Sequence, residues 1–261
     1  MSIDRRLFKG SFVDNSMEGW LCPNCQRGTL KLDKKNILTV HYTETYDLTG
    51  DIETIEVHRS IIFNCTDSKC EKRVICIAKG HVSIEDVLID EDTGETDYQP
   101  VDKLSPLFFS PHLKIFRVPK GTPEAVDKYL NASFQVFFCN PDSALSNLRA
   151  SLEELLNFLK IQKLKTKNGK KFRMSLHVRI NSMKSSLKEI QNLCFAIKWH
   201  GNAGSHPRSN ITHDDVLDAY SIFEVILEKL FETKYKDVEK LAKTINKQKG
   251  VAKKKKKVRK V

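Results

Sequence analysis

Apolar positions follow two rhythms along this chain. Before residue 102 they tend to alternate. "NILTVHYTETY" (36–46) and "ETIEVHRSIIF" (53–63) are rich in β-branched residues, and "LTGD" at 48–51 supplies a turn between them, so the two runs predict a hairpin. "RVICIAKGHV" and "EDVLIDEDTGETDYQPV" predict two further strands, with Asp92-Thr93-Gly94 marking a turn. "LSPLFFSPHLKIFRVPKGTP" then brings four prolines, at 106, 111, 119 and 123. Each removes an amide donor and restricts its neighbour, so this stretch is not one regular element; residues 98–121 read as a connector.

From residue 122 the period lengthens to three or four. Thr122-Pro123-Glu124 is a helix start, followed by Val126, Tyr129, Leu130, Phe134 and Phe137 on one face. Asn140-Pro141 repeats the signal, and Leu145, Leu148, Leu152, Leu155, Leu156 and Leu159 carry a second helix to about residue 161. "KLKTKNGKKFR" (163–173) reads as a basic, solvated loop around Asn-Gly. "SLHVRINSM" and "SLKEIQNLCFAIKW" predict two more helices, the second with Leu187, Ile190, Cys194 and Ile197 in phase. Thr212-His213-Asp214-Asp215 resembles a capping box and opens a helix bearing Val216, Leu217, Tyr220, Phe223, Leu227, Leu230 and Phe231. These stripes describe a helical bundle with one buried face per helix.

Composition adds less than it first suggests. The 261 residues are 40% hydrophobic and 30% charged, which places the chain among globular proteins. No apolar run is long enough for a membrane span, so no membrane partner is expected. The first residues, "MSIDRRLFKGSFVDN", show no apolar leader, and a cytoplasmic location is expected. Nine of the cations behind the formal charge of +11 fall in residues 247–261, which hold no acid, leaving a body of about +2. Lys253, Lys254, Lys255, Lys256, Lys257, Arg259 and Lys260 are therefore the expected contacts to nucleic acid, by counterion release.

Seven cysteines in such a chain do not suggest a disulfide framework. Four have the spacing of metal ligands: Cys22-x-x-Cys25 and, after 39 residues, Cys65-x4-Cys70. A short turn presents two thiolates to one side of an ion, and two such turns complete a tetrahedron. Knuckle, hairpin, knuckle is the arrangement of a zinc ribbon. With four thiolates the expected zinc is structural, since no position is left for a reacting water. Cys76, Cys139 and Cys194 lie among apolar neighbours and read as buried small hydrophobes.

One polar stretch remains, "IKWHGNAGSHP" (197–207). Gly201 and Gly204 interrupt the preceding helix near Trp199, and Pro207 follows, so His200, Asn202 and His206 fall in a tight polar loop. A histidine there also serves as a cap or dipole partner. Arg149 and Glu153, four apart beside the leucine stripe, read first as a surface ion pair worth roughly 0.3–0.5 kcal/mol.

"YQPVDKLSPLFFSPHLKIFRVPKGTPEAVDKYLNASFQVFFCNPDSALSNLRASLEELLNFL", "GNAGSHP" and "ITHDDVLDAYSIFEVILEKLF" together resemble domain-of-unknown-function family 4145 over residues 98–232. Its most specific parts here are "LRASLEELL" and Gly-Asn-x-x-x-His at 201–206. That family is similar to the HEPN superfamily of helical bundles, many of them metal-independent ribonucleases of toxin and phage-defence systems. There an Arg and a His a few residues apart act at a dimer interface. The resemblance assigns His206 to the histidine and Asn202 to the polar residue before it. No arginine matches: Lys198 or His200 stands in its place, and Arg208 lies on the far side. It implies supporting roles for Arg149 and Glu153, and a homodimer through the bundle.

The expected fold is therefore α+β. A zinc-ribbon-like β domain (1–97) and the connector (98–121) precede an all-α bundle of HEPN-like type (122–232) and a basic tail (233–261). The expected function is a zinc-binding, nucleic-acid-associated interaction module of a bacterial or phage conflict system, its bundle non-catalytic. The alternative is a metal-independent endoribonuclease using His206.

Overall fold

The computed structural model describes residues 3–8, 11–13, 16–89, 96–167, 169–203 and 210–249. It is a mixed α+β protein in which an antiparallel sheet precedes a helical region. The sheet comprises β1 (Phe12–Val13), β2 (Leu30–Tyr42), β3 (Glu56–Cys65), β4 (Arg73–Ile89) and β5 (Thr96–Ser110), in the order β1-β5-β4-β3-β2. The expected hairpin is β2–β3. A short helix, α1 (Glu44–Thr49), sits in its connection and ends on Gly50 in the left-handed region. The Asp92-Thr93-Gly94 turn lies outside the described residues.

Alternation on β3 sends Val57, Arg59, Ile61 and Phe63 to one face, where they are buried. Trp20 anchors this core, 1% exposed, with its ring edge-on to Phe12, Phe63 and Phe109 and its indole N–H donating to the Leu7 carbonyl. The sheet curls strongly. His41 on β2 bonds Asp102 on β5 at 3.0 Å, although two strands lie between, and a flat sheet would hold β2 and β5 about 14 Å apart. Register shifts at Leu32/Ile37, Ile77/Ala78 and Ile84/Asp86 supply local bends.

Part of the expected connector is strand. Residues 98–110 belong to β5 despite Pro100 and Pro106. Pro100 pairs with Ile84 and Pro106 with Ala78, each beside a register shift, where a missing amide donor costs the ladder little. Regular structure stops at Ser110, and the prolines at 111 and 119 lie in the irregular stretch that follows.

The helical region contains α2 (Glu124–Val136), α3 (Pro141–Phe158), α4 (Leu176–Asn181), α5 (Lys188–Ala203), α6 (His213–Phe231) and α7 (Thr233–Gln248). Three starts are capped by side chains: Asn140 accepts from the Ser143 amide, Ser175 from Val178, and Thr212 with Asp215 forms a reciprocal box, whereas α2 and α7 have no side-chain cap. The leucines of α3 and the apolar stripe of α6 meet in one core, with Tyr220 fully buried at its centre. Its hydroxyl bonds Ser133, which in turn donates to the Ala144 carbonyl, so the buried polar group is satisfied. Phe138 joins the two cores, its ring 5.1 Å from Phe109 of the sheet and 4.9 Å from Phe137.

Four further expectations need correction. α5 does not stop near Trp199 but runs to Ala203, because Gly201 is packed inside a helical interface rather than ending the helix. The basic segment 163–173 is a β-hairpin, β6 (Leu164–Lys167) and β7 (Lys170–Arg173). Residues 233–248, expected as part of the basic tail, form α7. Cys139 is exposed, because the chain leaves α2 there to reach the Asn140 cap. No helix among the described residues is long and apolar enough to cross a membrane.

Candidate metal centre

Cys22 and Cys25 sit in the turn before β2, closed by an antiparallel bridge between Leu21 and Thr29. Cys65 ends β3, and Cys70 lies in the turn leading to β4. All four sulfurs fall within 4.8 Å of one another, with Cys22–Cys70 at 3.9 Å and Cys25–Cys65 at 3.6 Å. All four thiols are free, and a disulfide would need about 2.05 Å. A tetrahedral ion binding thiolates at about 2.3 Å spaces its sulfurs about 3.8 Å apart. The cluster therefore fits a single four-coordinate metal ion.

The two turns are built alike. The Gln26 amide donates to the Cys22 carbonyl at 2.9 Å, and the Glu71 amide to the Asp67 carbonyl at 3.3 Å. The residue after the second cysteine of each pair, Gln26 or Glu71, has φ of 53° or 47°. That left-handed geometry costs a non-glycine residue roughly 1–2 kcal/mol, and here it turns the backbone around the sulfurs. The turns are also tied to each other. Thr66 donates its amide to the Thr29 carbonyl at 3.0 Å, Thr29 donates its own to the Thr66 hydroxyl at 2.9 Å, and Arg27 bridges to Asp67 at 2.8 Å.

Gly28 makes this approach achievable. A Cβ there would lie 2.6 Å from the Asp67 amide nitrogen and 2.7 Å from the Cys65 sulfur. Amides also reach the sulfurs: Asp67 N–H donates to Cys65, and the Asn24 side chain to Cys70, both at 3.4 Å. Donation from the Gly28 and Arg27 amides brings the Cys25 thiol down to about 7, whereas burial pushes Cys65 up to about 12 and raises Cys22. A bound cation would offset that burial cost and favour all four thiolates. Four sulfurs would fill the coordination of a tetrahedral ion and leave no open position for a substrate.

The other sequence-marked residues lie in the bundle. Lys198 is 8% exposed, its ammonium 3.2 Å from the centroid of the Trp199 ring. His200 lies near the start of α6. Asp215 there is held below the usual carboxylate range first by bonds from Thr212 and in smaller part by His200. Arg149 and Glu153 are 3.9 Å apart, and Glu153 also takes a 3.1 Å bridge from Arg173. Gly201 seats on Arg149, where a Cβ would be 2.8 Å from the arginine Cβ. The Asn202 backbone is in the last turn of α5. Its side chain and His206 lie outside the described residues, as do Lys253, Lys254, Lys255, Lys256, Lys257, Arg259 and Lys260.

Sequence reasoning passed over two buried polar features. Arg59 pairs with Asp102 on the inner face of the sheet, with Thr39 and His41 completing the cluster. Glu224 is buried on α6 beside a cavity of about 400 Å³ lined also by Phe8, Pro23 and Phe116. Burial, with help from the Glu228 charge, pushes its carboxyl up to about 7. Neither has a motif, because the partners come from distant segments.

No curated protein and no solved structure matches the chain. Residues 10–109, which span the sheet and all four clustered cysteines, match a family model described as a domain of unknown function (DUF8608). Residues 131–248, from within α2 to the end of α7, match a second model, described as a domain of unknown function (DUF4145).

Proposed function

We propose that the chain is a zinc-binding, nucleic-acid-associated interaction module whose HEPN-like bundle is non-catalytic. The observation that carries the zinc reading is the closed four-thiol cluster. Soft thiolates in a tetrahedron select zinc over hard cations, and two mirrored knuckles flanking a hairpin are the parts of a zinc ribbon. The nucleic-acid reading rests on the acid-free run of nine cations at 247–261. A non-catalytic bundle is supported by Lys198, which is buried under Trp199 rather than held toward a substrate. A place in bacterial or phage conflict is the setting that the family resemblance implies.

One observation favours the ribonuclease alternative. Gly201 lies against Arg149, so α3 brings an arginine to the start of the Gly-Asn-x-x-x-His segment that lacks one of its own. There His206 would take the proton of an RNA 2′-hydroxyl, and Arg149 would stabilise the charged phosphorane, with His200, Asn202 and Glu153 in support. Incubating the protein with mixed RNA in EDTA, beside His206→Ala and Arg149→Lys, separates the readings. The non-catalytic reading predicts no cleavage by any of the three. Cleavage by the native chain that both substitutions abolish would replace it with the enzyme.

A further inference from the structure

We infer that the β6–β7 hairpin is a binding arm for single-stranded nucleic acid, with Phe172 as a stacking platform between lysines. This deepens the nucleic-acid part of the proposed function but rests on different residues from the tail. Residues 163–173 contain six Lys or Arg and no Asp or Glu. Gly169, between the strands, has φ 72°. Pairs run Leu164↔Arg173, Lys165↔Phe172, Thr166↔Lys171 and Lys167↔Lys170.

Directly opposed residues share a face, and the face alternates along each strand. Phe172 therefore shares its face with Lys165 and Lys170, while Lys171 and Arg173 take the other. The ring is 53% exposed, and every residue of β7 is exposed. A merely solvating turn gains nothing from a half-bare phenyl ring among cations. That combination suits a nucleic-acid strand, in which a base lies on the ring while phosphates meet the ammonium groups. Double-stranded DNA keeps its base faces stacked inside, so the exposed ring selects a single strand. No contact in this arrangement depends on a 2′-hydroxyl, so RNA and DNA strands should bind alike.

The arm is fixed at its root. Arg173 bridges to Glu153 of α3, and the Met174 amide donates to the Lys163 carbonyl at 2.9 Å. At that root a polar cleft of about 450 Å³ carries Arg149, Lys163 and a second ring, Tyr129. Tyr129 is 37% exposed. A strand leaving Phe172 thus meets further cations and another ring, while Glu153 is occupied by Arg149 and Arg173.

The test is fluorescence anisotropy on the full chain with labelled 12-nucleotide RNA and DNA strands, their duplexes, and polyglutamate as a competitor. Phe172→Ala should weaken single-strand binding about tenfold, within the range for one base–aromatic stack, while Phe172→Trp retains it. The double change Lys165→Gln with Lys170→Gln should lower the log–log salt slope by about 1.4. All three variants should melt like the native chain, since these side chains are exposed. A full chain with Lys253 to Lys257 changed to glutamine separates arm from tail. If Phe172→Ala still costs tenfold there, the arm stands whatever the tail does. If binding depends on the tail alone and Phe172→Ala binds like the native chain, the arm is overturned and the tail reading survives. In the chain with the neutralised tail, equal affinity for duplex, or full displacement by polyglutamate, would also overturn the inference, because either reduces the hairpin to a diffuse cation.

Discussion

At Gly28 and Glu224 single side chains decide energetics that no motif advertises. Gly28→Ala would place a methyl group 2.7 Å from the Cys65 sulfur, and the second turn would have to withdraw. The expected result is weakened metal retention and a loss of about 1–3 kcal/mol, the usual penalty for overpacking, seen as faster metal transfer to a chelator and a lower melting point. Glu224 makes a pH prediction. Its folded-state carboxyl titrates at about 7, above its ordinary value of 4.5, so the native state holds this proton more tightly than the unfolded chain. Its contribution to stability is complete below about pH 4.5 and is lost as pH rises through 7, at most about 3 kcal/mol. Glu224→Gln should therefore raise the melting point at pH 8 relative to the native chain and change it little at pH 5. A variant that melts lower at pH 8 would show that the ionised carboxylate is a needed partner. The four clustered cysteines were legible because each pair is local and its spacing is set by the turn. Gly28, Glu224 and the Arg59–Asp102 pair were not, since what surrounds them comes from other parts of the chain.

Among the elements, helix starts and apolar stripes were readable because caps and a 3.6-residue period are written locally. Interruptions were less so. Glycine at 201 and proline at 100 and 106 carry the usual marks of a break, yet α5 and β5 run through them. The reason in each case is tertiary: α3 comes so close to Gly201 that a side chain would collide, and the prolines fall beside register shifts. Asn-Gly between two basic runs is also a hairpin signal, but lysine-rich strands lack the alternation that normally accompanies it. Gly201→Val tests the close approach. Its larger side chain would push α5 from Arg149 and should cost about 1–3 kcal/mol. In a chain of this size that lowers the melting point by roughly 5 °C. An unchanged melting point would mean that α3 and α5 are not held together there.

In the whole molecule, the sheet and bundle share the aromatic contacts of Phe138, and the four-thiol cluster lies at the end of the sheet where two of its turns meet. Charge is distributed unevenly over this body, and deletion of 247–261 should flatten the salt dependence of nucleic-acid binding while leaving the thermal melt unchanged. An unaltered salt slope would assign binding to other residues. The central claim is that Cys22, Cys25, Cys65 and Cys70 hold one structural zinc ion. Zinc analysis of chain purified without chelators, coupled to native thiol titration, tests it most directly. Cys139 is exposed whereas Cys76 and Cys194 are buried, so one thiol should react while the metal is bound. The account predicts one zinc per chain, a rise from one reactive thiol to five when the metal is removed, and loss of the zinc in Cys65→Ser. A folded chain without zinc, whose clustered thiols react at once, would contradict it.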